Sequence, residues 1–371
     1  MLENNDKKID LFLAAINPYI QTNTVENVEK KVNGKDFVAW GEDNGYPQFL
    51  LNCYNNCATL QSIINGTTDF VAGDSVICNV SGFEKTINKK GDTIEDVVAK
   101  IGNDYITFGA FALQIIRNMI GEIAEIYYVD VAKLRSDDKN EVFYYSDDWG
   151  KSYGRVKYIT YPKYAPNDTN PTSIFYCKNP MSRNVYGTPV WNASVKNVMI
   201  DMAISDFHNN EISNNFMSSK MINFANGVPD DNLKLEIERN INEKFSSSSN
   251  AGRILISFSD SKENAPEILS LGTDDFDKRY LELEKRNTGQ LFVAFRAIPQ
   301  IFGLAVEGSG FNREEYLQAF SLYNRTVVRP IQNRIIDCFN KILGVENSIT
   351  ISPFTVDVIE DISNNDNKNV A

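Results

Sequence analysis

The most informative hydrophobic pattern lies towards the C-terminal end of the chain. Tyr316, Phe320, Tyr323, Val327, Ile331, Ile335, Phe339 and Ile342 recur at steps of three and four, which places them on one face of a helix. Asn312 suits the N-cap, and Glu314 and Glu315 fall in the first turn, against the positive end of the helix dipole. The pattern predicts one helix over 313–343, roughly 45 Å long at 1.5 Å per residue. Pro330 is expected to bend or break it. Upstream, Thr273 caps a second periodic stretch that has Asp274, Asp275 and Asp277 in its first turn and runs through Tyr280, Leu283, Leu291 and Phe295. Its end is expected at Pro299, which cannot donate to the helical ladder. Between the two helices, Ala305-Val306-Glu307-Gly308-Ser309-Gly310 has two glycines and no large anchor, so an exposed loop held between long helices is expected there.

The rest of the chain reads as mixed elements. Residues 1–35 are polar apart from an apolar patch over 11–16, and a flexible arm is expected. In Trp40-Gly41-Glu42-Asp43-Asn44-Gly45-Tyr46-Pro47, both Asn-Gly and Tyr-Pro stop regular structure; helices are predicted from 48 and over 59–71. An amphipathic helix is predicted over 92–108, on Ile94, Val97, Val98, Ile101 and Tyr105. Residues 113–117 and 125–129 alternate like paired strands around a turn at 118–121, and further strands are expected over 142–145, 156–160 and 173–176. Tyr186-Gly187-Thr188-Pro189 opens a helix predicted over 190–217. An α/β insert follows over 220–272: strand 221–225, helix 230–245, a low-complexity serine tract at 246–249, and strands 253–258 and 267–271. A strand over 348–358 is expected to fold back on the N-terminal half, and 360–371 to be a disordered tail. The class is α+β.

Composition removes several functions. With 49 acidic and 37 basic residues the formal charge is −12, whereas a protein that grips DNA through phosphates presents a basic surface. The one histidine, His208, and five cysteines without a CxxC pair leave no Ser-His-Asp, Cys-His or multi-histidine zinc scheme. Cys53 and Cys57, four apart, read as reduced thiols on one helix face. There is no G-x-x-x-x-G-K-[ST] phosphate cradle. The pairs Asp147/Asp148, Asp230/Asp231 and Asp274/Asp275 keep open a metal-dependent hydrolase or nuclease, although each lies where a turn or helix start favours acids anyway. No cofactor is expected. No apolar run reaches the length of a membrane span and no signal sequence is visible, so a cytoplasmic product without a membrane partner is expected.

Ala294-Phe295-Arg296-Ala297-Ile298-Pro299 followed by Phe302-Gly303, the polar step from Ser309 to Asn312, and Arg329-Pro330 before an Ile-rich helix containing Asn340 form an ordered set. Together they resemble the portal proteins of tailed bacteriophages, the rings at one capsid vertex through which DNA enters and leaves. Asn44 to Pro47, Phe70 to Gly73 and the Tyr186-Gly187-Thr188-Pro189 passage extend the resemblance towards the N-terminus; the chain departs from it in having Gln300 where a second proline is common. The resemblance implies a portal fold with a β-rich wing over 36–189, a two-helix stem over 190–219 and 273–299, and a small α/β clip over 220–272. It further implies a tunnel loop over 300–312, a long wing helix with a returning strand over 313–359, and little or no crown. Ala305, Val306, Glu307, Gly308, Ser309, Gly310, Phe311 and Asn312 would line the channel, with Pro299 and Pro330 as helix hinges. The implied partners are other copies of the chain in a ring of usually twelve, double-stranded DNA bound without sequence preference, the terminase large subunit, major capsid and scaffold proteins, and a head-completion or tail adaptor. The implied location is the virion vertex, reached by assembly in the host cytoplasm, and the implied role is non-enzymatic.

Overall fold

The computed structural model describes residues 27–31, 36–149, 156–213, 220–224, 229–245, 254–258, 276–304 and 313–355. The chain divides into two compact units, one built from Thr24–Met199 with Arg286–Ala371 and the other centred on Ile200–Lys285.

In the first unit, strand β1 (Glu29–Lys31) pairs antiparallel with β2 (Val38–Trp40). This corrects the flexible arm expected over 1–35 at its C-terminal end. The Glu29 carboxylate fixes the strand further by accepting the backbone N–H groups of Val185 at 2.7 Å and Tyr186 at 2.8 Å. Helix α1 (Tyr46–Asn56) carries Pro47 in its first turn, where a missing N–H costs nothing. Helix α2 (Ala58–Ala72) starts one residue later, because Cys57 closes α1 and its sulfur accepts the Leu60 N–H to cap α2. Cys53 and Cys57 therefore do not share a face of one helix. Thr93 and Asp96 form a reciprocal capping box at the start of α3 (Ile94–Phe108), which buries Val97, Val98 and Ile101.

Gly109 ends α3 in the left-handed region, at φ 73°. Its backbone lies against the Tyr186-Gly187-Thr188 passage: a Cβ on Gly187 would stand 2.5 Å from the Gly109 carbonyl oxygen, so that glycine answers a close backbone approach. After Gly109, β4 (Ala110–Arg117) is the centre of an antiparallel sheet ordered β5-β4-β9, with β5 (Ile123–Val129) and β9 (Thr172–Lys178) on its sides. A second antiparallel sheet joins β6 (Leu134–Ser136), β7 (Val142–Tyr145) and β8 (Ile159–Pro162). β6 has no counterpart in the sequence pattern, being three residues long. The chain end returns as β12 (Ile349–Ser352), antiparallel to β3 (Ser75–Cys78).

One buried acid in this core has a testable consequence. Asp104 on α3 is buried and accepts the Val131 N–H at 3.4 Å. Burial, then the charge of Asp130, raise its carboxyl well above the usual carboxylate range. A folded pKa above the unfolded one leaves the acid's share of stability intact below the unfolded value and removes it as pH rises towards the folded value. Asp104→Asn keeps an acceptor and lacks the charge. Its urea midpoint is expected above wild type at neutral pH, with the gain gone near pH ~3.5, below the unfolded carboxylate pKa. A midpoint lowered equally at both pH values would contradict this.

In the second unit, β10 (Lys220–Phe224) and β11 (Ile254–Phe258) pair in parallel, and α5 (Asp231–Phe245) supplies the crossover that parallel pairing needs. Asp230 caps α5, its Oδ1 accepting the Leu233 N–H at 2.8 Å. The strand expected over 267–271 and the Thr273 cap lie outside the described residues. The chain passes between the units within α4 (Val195–Ser213) and again within α6 (Phe276–Phe295). α4 starts at Val195 after a 3-10 turn over Asn192–Ser194, five residues later than the sequence pattern suggests.

Candidate functional site

Ala305 to Asn312, the candidate channel loop, lies outside the described residues, but both of its ends are placed. The incoming end departs from expectation. α6 stops at Phe295 and not at Pro299, because Arg296 adopts φ 53°. The Arg296 N–H then bonds the Val293 carbonyl at 3.0 Å and the Ala297 N–H the Phe292 carbonyl at 2.9 Å, a Schellman ending with arginine where glycine is usual. Pro299 instead opens a 3-10 turn over Pro299–Phe302, closed by Gly303 at φ 80° and a Leu304 N–H to Pro299 carbonyl bond of 3.1 Å. Pro299 thus shapes the root of the loop and breaks no helix.

The outgoing end is α7 (Arg313–Tyr323), with Glu314 and Glu315 in its first turn. It runs through a π-helical turn, Asn324–Val328, into α8 (Arg329–Leu343). Pro330 sits at the start of α8, and the wider turn just before it accommodates a residue that cannot donate and whose ring would crowd the carbonyl four residues back. The π turn also shifts the apolar face. From buried Tyr323 the next buried position is Val328 and not Val327, and the stripe continues through Ile335, Phe339 and Ile342. The single bent helix predicted over 313–343 is therefore two α-segments joined by a π turn that ends two residues before Pro330.

Both ends of the loop are anchored on α2. Phe302 packs edge-on against Phe70 (6.0 Å between ring centres), Phe292 (5.7 Å) and Tyr323 (5.7 Å). Phe70 also meets Phe320 at 5.4 Å and Phe354 at 5.2 Å. Gly66 makes room for this cluster, since a Cβ there would stand 2.8 Å from the Phe302 ring. The Tyr323 hydroxyl shares a 2.7 Å hydrogen bond with Thr67, and burial pushes its pKa up to about 12. Gln332 donates to the Phe70 and Val71 carbonyls at 3.3 and 3.1 Å, satisfying the C-terminal end of α2. Nearby, Asn197 at the start of α4 and buried Asn287 of α6 bond side chain to side chain at 2.9 Å, and Asn287 donates back to the Asn197 carbonyl at 2.9 Å. This tie between the two candidate stem helices has no signature in the sequence pattern, because neither asparagine stands out locally.

The residues of the acidic pairs that the structure describes are engaged locally. Asp147 meets Lys133 at 3.0 Å on the surface, Asp230 caps α5, Asp231 meets Lys234 at 3.1 Å, and Asp274 and Asp275 lie outside the described residues. Among the described residues, no group of three or more His, Cys, Asp or Glu side chains could hold a metal ion, and no helix is long and apolar enough to cross a membrane. His208 lies on α4 beside the Phe207 ring, at 5.8 Å.

Two sequence passages far apart in the chain meet at a residue that the pattern did not mark. Arg135 is fully buried and donates to the carbonyls of Ala132 (3.0 Å), Leu134 (2.7 Å) and Asn44 (2.9 Å). Its guanidinium lies over the rings of Trp149, at 4.9 Å, and Trp40, at 5.8 Å. Asn44, at φ 58°, accepts the Trp40 N–H at 2.9 Å, and Trp40 stacks on Tyr186 at 4.4 Å. The Asn44-Gly45-Tyr46-Pro47 turn and the Tyr186-Gly187 passage are thus two walls of one buried arginine site.

A sequence profile of the phage portal protein family matches residues 88–360, close to three quarters of the chain. The chain belongs to the phage portal protein family. Its role is that of a capsid portal, and the carboxylate-enzyme alternative finds no support in the family or the fold. Among solved structures, it is similar to a chain of the virion of a native gene transfer agent particle, with 16% identity and a TM-score of 0.53, covering 83% of each chain. It is also similar to a chain in the neck of a native gene transfer agent particle computed with C12 symmetry, with 15% identity and a TM-score of 0.53, covering 84% of this portal and 86% of that chain. At these identities the likeness establishes a shared fold. An HK97-family portal protein from Corynebacterium diphtheriae aligns with 11% identity and a TM-score of 0.48 over 78% of this chain and 88% of its own. A comparison with curated protein sequences finds no match.

Proposed function

We propose that copies of this portal form a twelve-membered ring at one vertex of a phage or phage-like capsid and act as the passage for double-stranded DNA in packaging and ejection. The carrying observation is the family match over residues 88–360, supported by a fold shared with a neck chain computed with C12 symmetry. In this reading the larger unit is the wing, α4 and α6 form the stem, and the β10-α5-β11 unit is the clip. The clip docks the terminase large subunit during packaging and the head-completion or tail adaptor afterwards, while major capsid and scaffold proteins surround the wing. The ring assembles in the host cytoplasm and ends in the virion. It catalyses nothing; energy for packaging comes from the separate terminase.

The tunnel loop from Ala305 to Asn312 projects into the channel from the aromatic base around Phe70 and Phe302. There it meets DNA through backbone and short side chains, with Glu307 repelling phosphates. The net charge of −12 supports a wall over which DNA slides. The hinges of this assembly are the Arg296–Pro299 turn and the π turn leading into Pro330, the two places where the helices framing the loop leave α-geometry.

Removing the gene from a particle-producing element is expected to leave capsids without packaged DNA. A tagged copy supplied in trans is expected to restore filling and to carry one gold-labelled vertex per particle. DNA-filled particles in the absence of the chain would overturn the reading.

A further inference from the structure

The helix that leaves the channel loop is packed on one side only. α7 buries Phe320 and Tyr323 in the aromatic base around Phe70. On its outer face Leu317, Gln318, Ser321, Leu322 and Arg325 line an open hollow of about 390 Å³. Leu322 leaves 58% of its surface in water there, an unfavourable arrangement that contributes nothing to the packing of this copy. Arg325 and Arg329 are exposed and stand four residues apart across the π turn. Like charges at that spacing on a helix repel, and among the described residues neither arginine forms an ion pair. The balance of charge also reverses in this part of the chain. Beyond the acidic first turn of α7, the stretch from Tyr316 to Leu343 carries four basic residues and one acidic, whereas the rest of the chain carries 33 and 48.

We propose that this outer face of α7, with Arg325 and Arg329 along it, is one half of the contact between neighbouring copies of the chain and receives an acidic surface of the next copy. This contact presupposes the ring proposed above and adds where its copies touch. A closed ring of identical chains needs two unlike surfaces on each copy, because its contacts run head to tail. An apolar hollow edged by arginines has the composition of an interface, and the acidic remainder of the same chain supplies the opposite charge. Double-stranded DNA would answer the arginines but not the hollow, since it binds through its phosphates and offers nothing apolar to cover Leu317 and Leu322. α7 begins where the channel loop ends, so a neighbour seated on this face sets each loop against the next around the ring.

The test uses the full-length chain with major capsid and scaffold proteins present throughout. Arg325→Glu/Arg329→Glu and, separately, Leu322→Asp are each expected to raise the protein concentration for half-assembly of rings by ~tenfold or more, because facing like charges and a charge forced into an apolar contact both weaken association. These positions are exposed in the single copy, so the urea midpoint is expected to stay at the wild-type value. A photo-crosslinking residue at Gln318 in the otherwise wild-type chain is expected to join two copies, through a peptide from an acidic stretch of the partner. Rings formed by both variants at wild-type concentrations, or a crosslink to DNA alone in filled particles, would overturn the contact and leave the ring standing. A wild-type chain that forms no ring would overturn both.

Discussion

Arg135→Ala is expected to unfold the larger unit at markedly lower urea than wild type, a loss of at least about 3 kcal/mol. The side chain is fully buried and is the donor for three backbone carbonyls, those of Asn44, Ala132 and Leu134. A buried acceptor left unpaired costs ~1–3 kcal/mol, and truncation also opens a cavity between two tryptophan faces. Arg135→Lys is expected to rescue little, because one ammonium group cannot bond carbonyls in several directions while lying flat between the Trp40 and Trp149 rings. Trp40, Trp149 and Trp191 are all buried, and two of them flank the site, so intrinsic fluorescence reports the transition. A loss under about 1 kcal/mol would show that the carbonyls find other donors.

The second large effect is functional. Deleting 306–310 removes the glycines and Glu307 but leaves Phe302, Gly303 and Leu304 at one end and α7 at the other. The aromatic base around Phe70 is built from residues outside the deletion, so folding and ring assembly are expected to be unchanged. Packaged DNA per particle, or its retention after filling, is expected to fall sharply. Normal DNA content and infectivity from particles carrying the deletion would remove the loop from the channel and leave it an ordinary surface connection.

Much of the fold was readable wherever short-range chemistry decides it. The amphipathic helix around 94–108, the hairpin of β4 and β5, and the strand–helix–strand order of 220–258 each follow from residues within a few positions of one another. The failures share a different cause. The end of α6 was assigned to Pro299 because proline is the strong local stop, whereas the chain turns at Arg296, a residue type with no preference for positive φ, under the pull of the packing that buries Leu291, Phe292 and Phe295. Val327 was placed on the buried face because a strict α-period was assumed; Pro330 downstream widens the turn and hands the position to Val328. Arg135 left no trace at all, since its partners come from distant segments and a lone arginine reads as surface. The candidate loop was read from its glycines and its flanks, and its flanks are what the structure describes: an aromatic cluster, a 3-10 turn and a π turn that hold its two ends on α2.

The central claim is that this chain works as a ring. Native mass spectrometry of the purified full-length protein, paired with electron microscopy of the same sample, tests it most directly. The account predicts an assembly of twelve copies with a central opening. A chain that stays monomeric at high concentration, and remains so when major capsid and scaffold proteins are added, would contradict it.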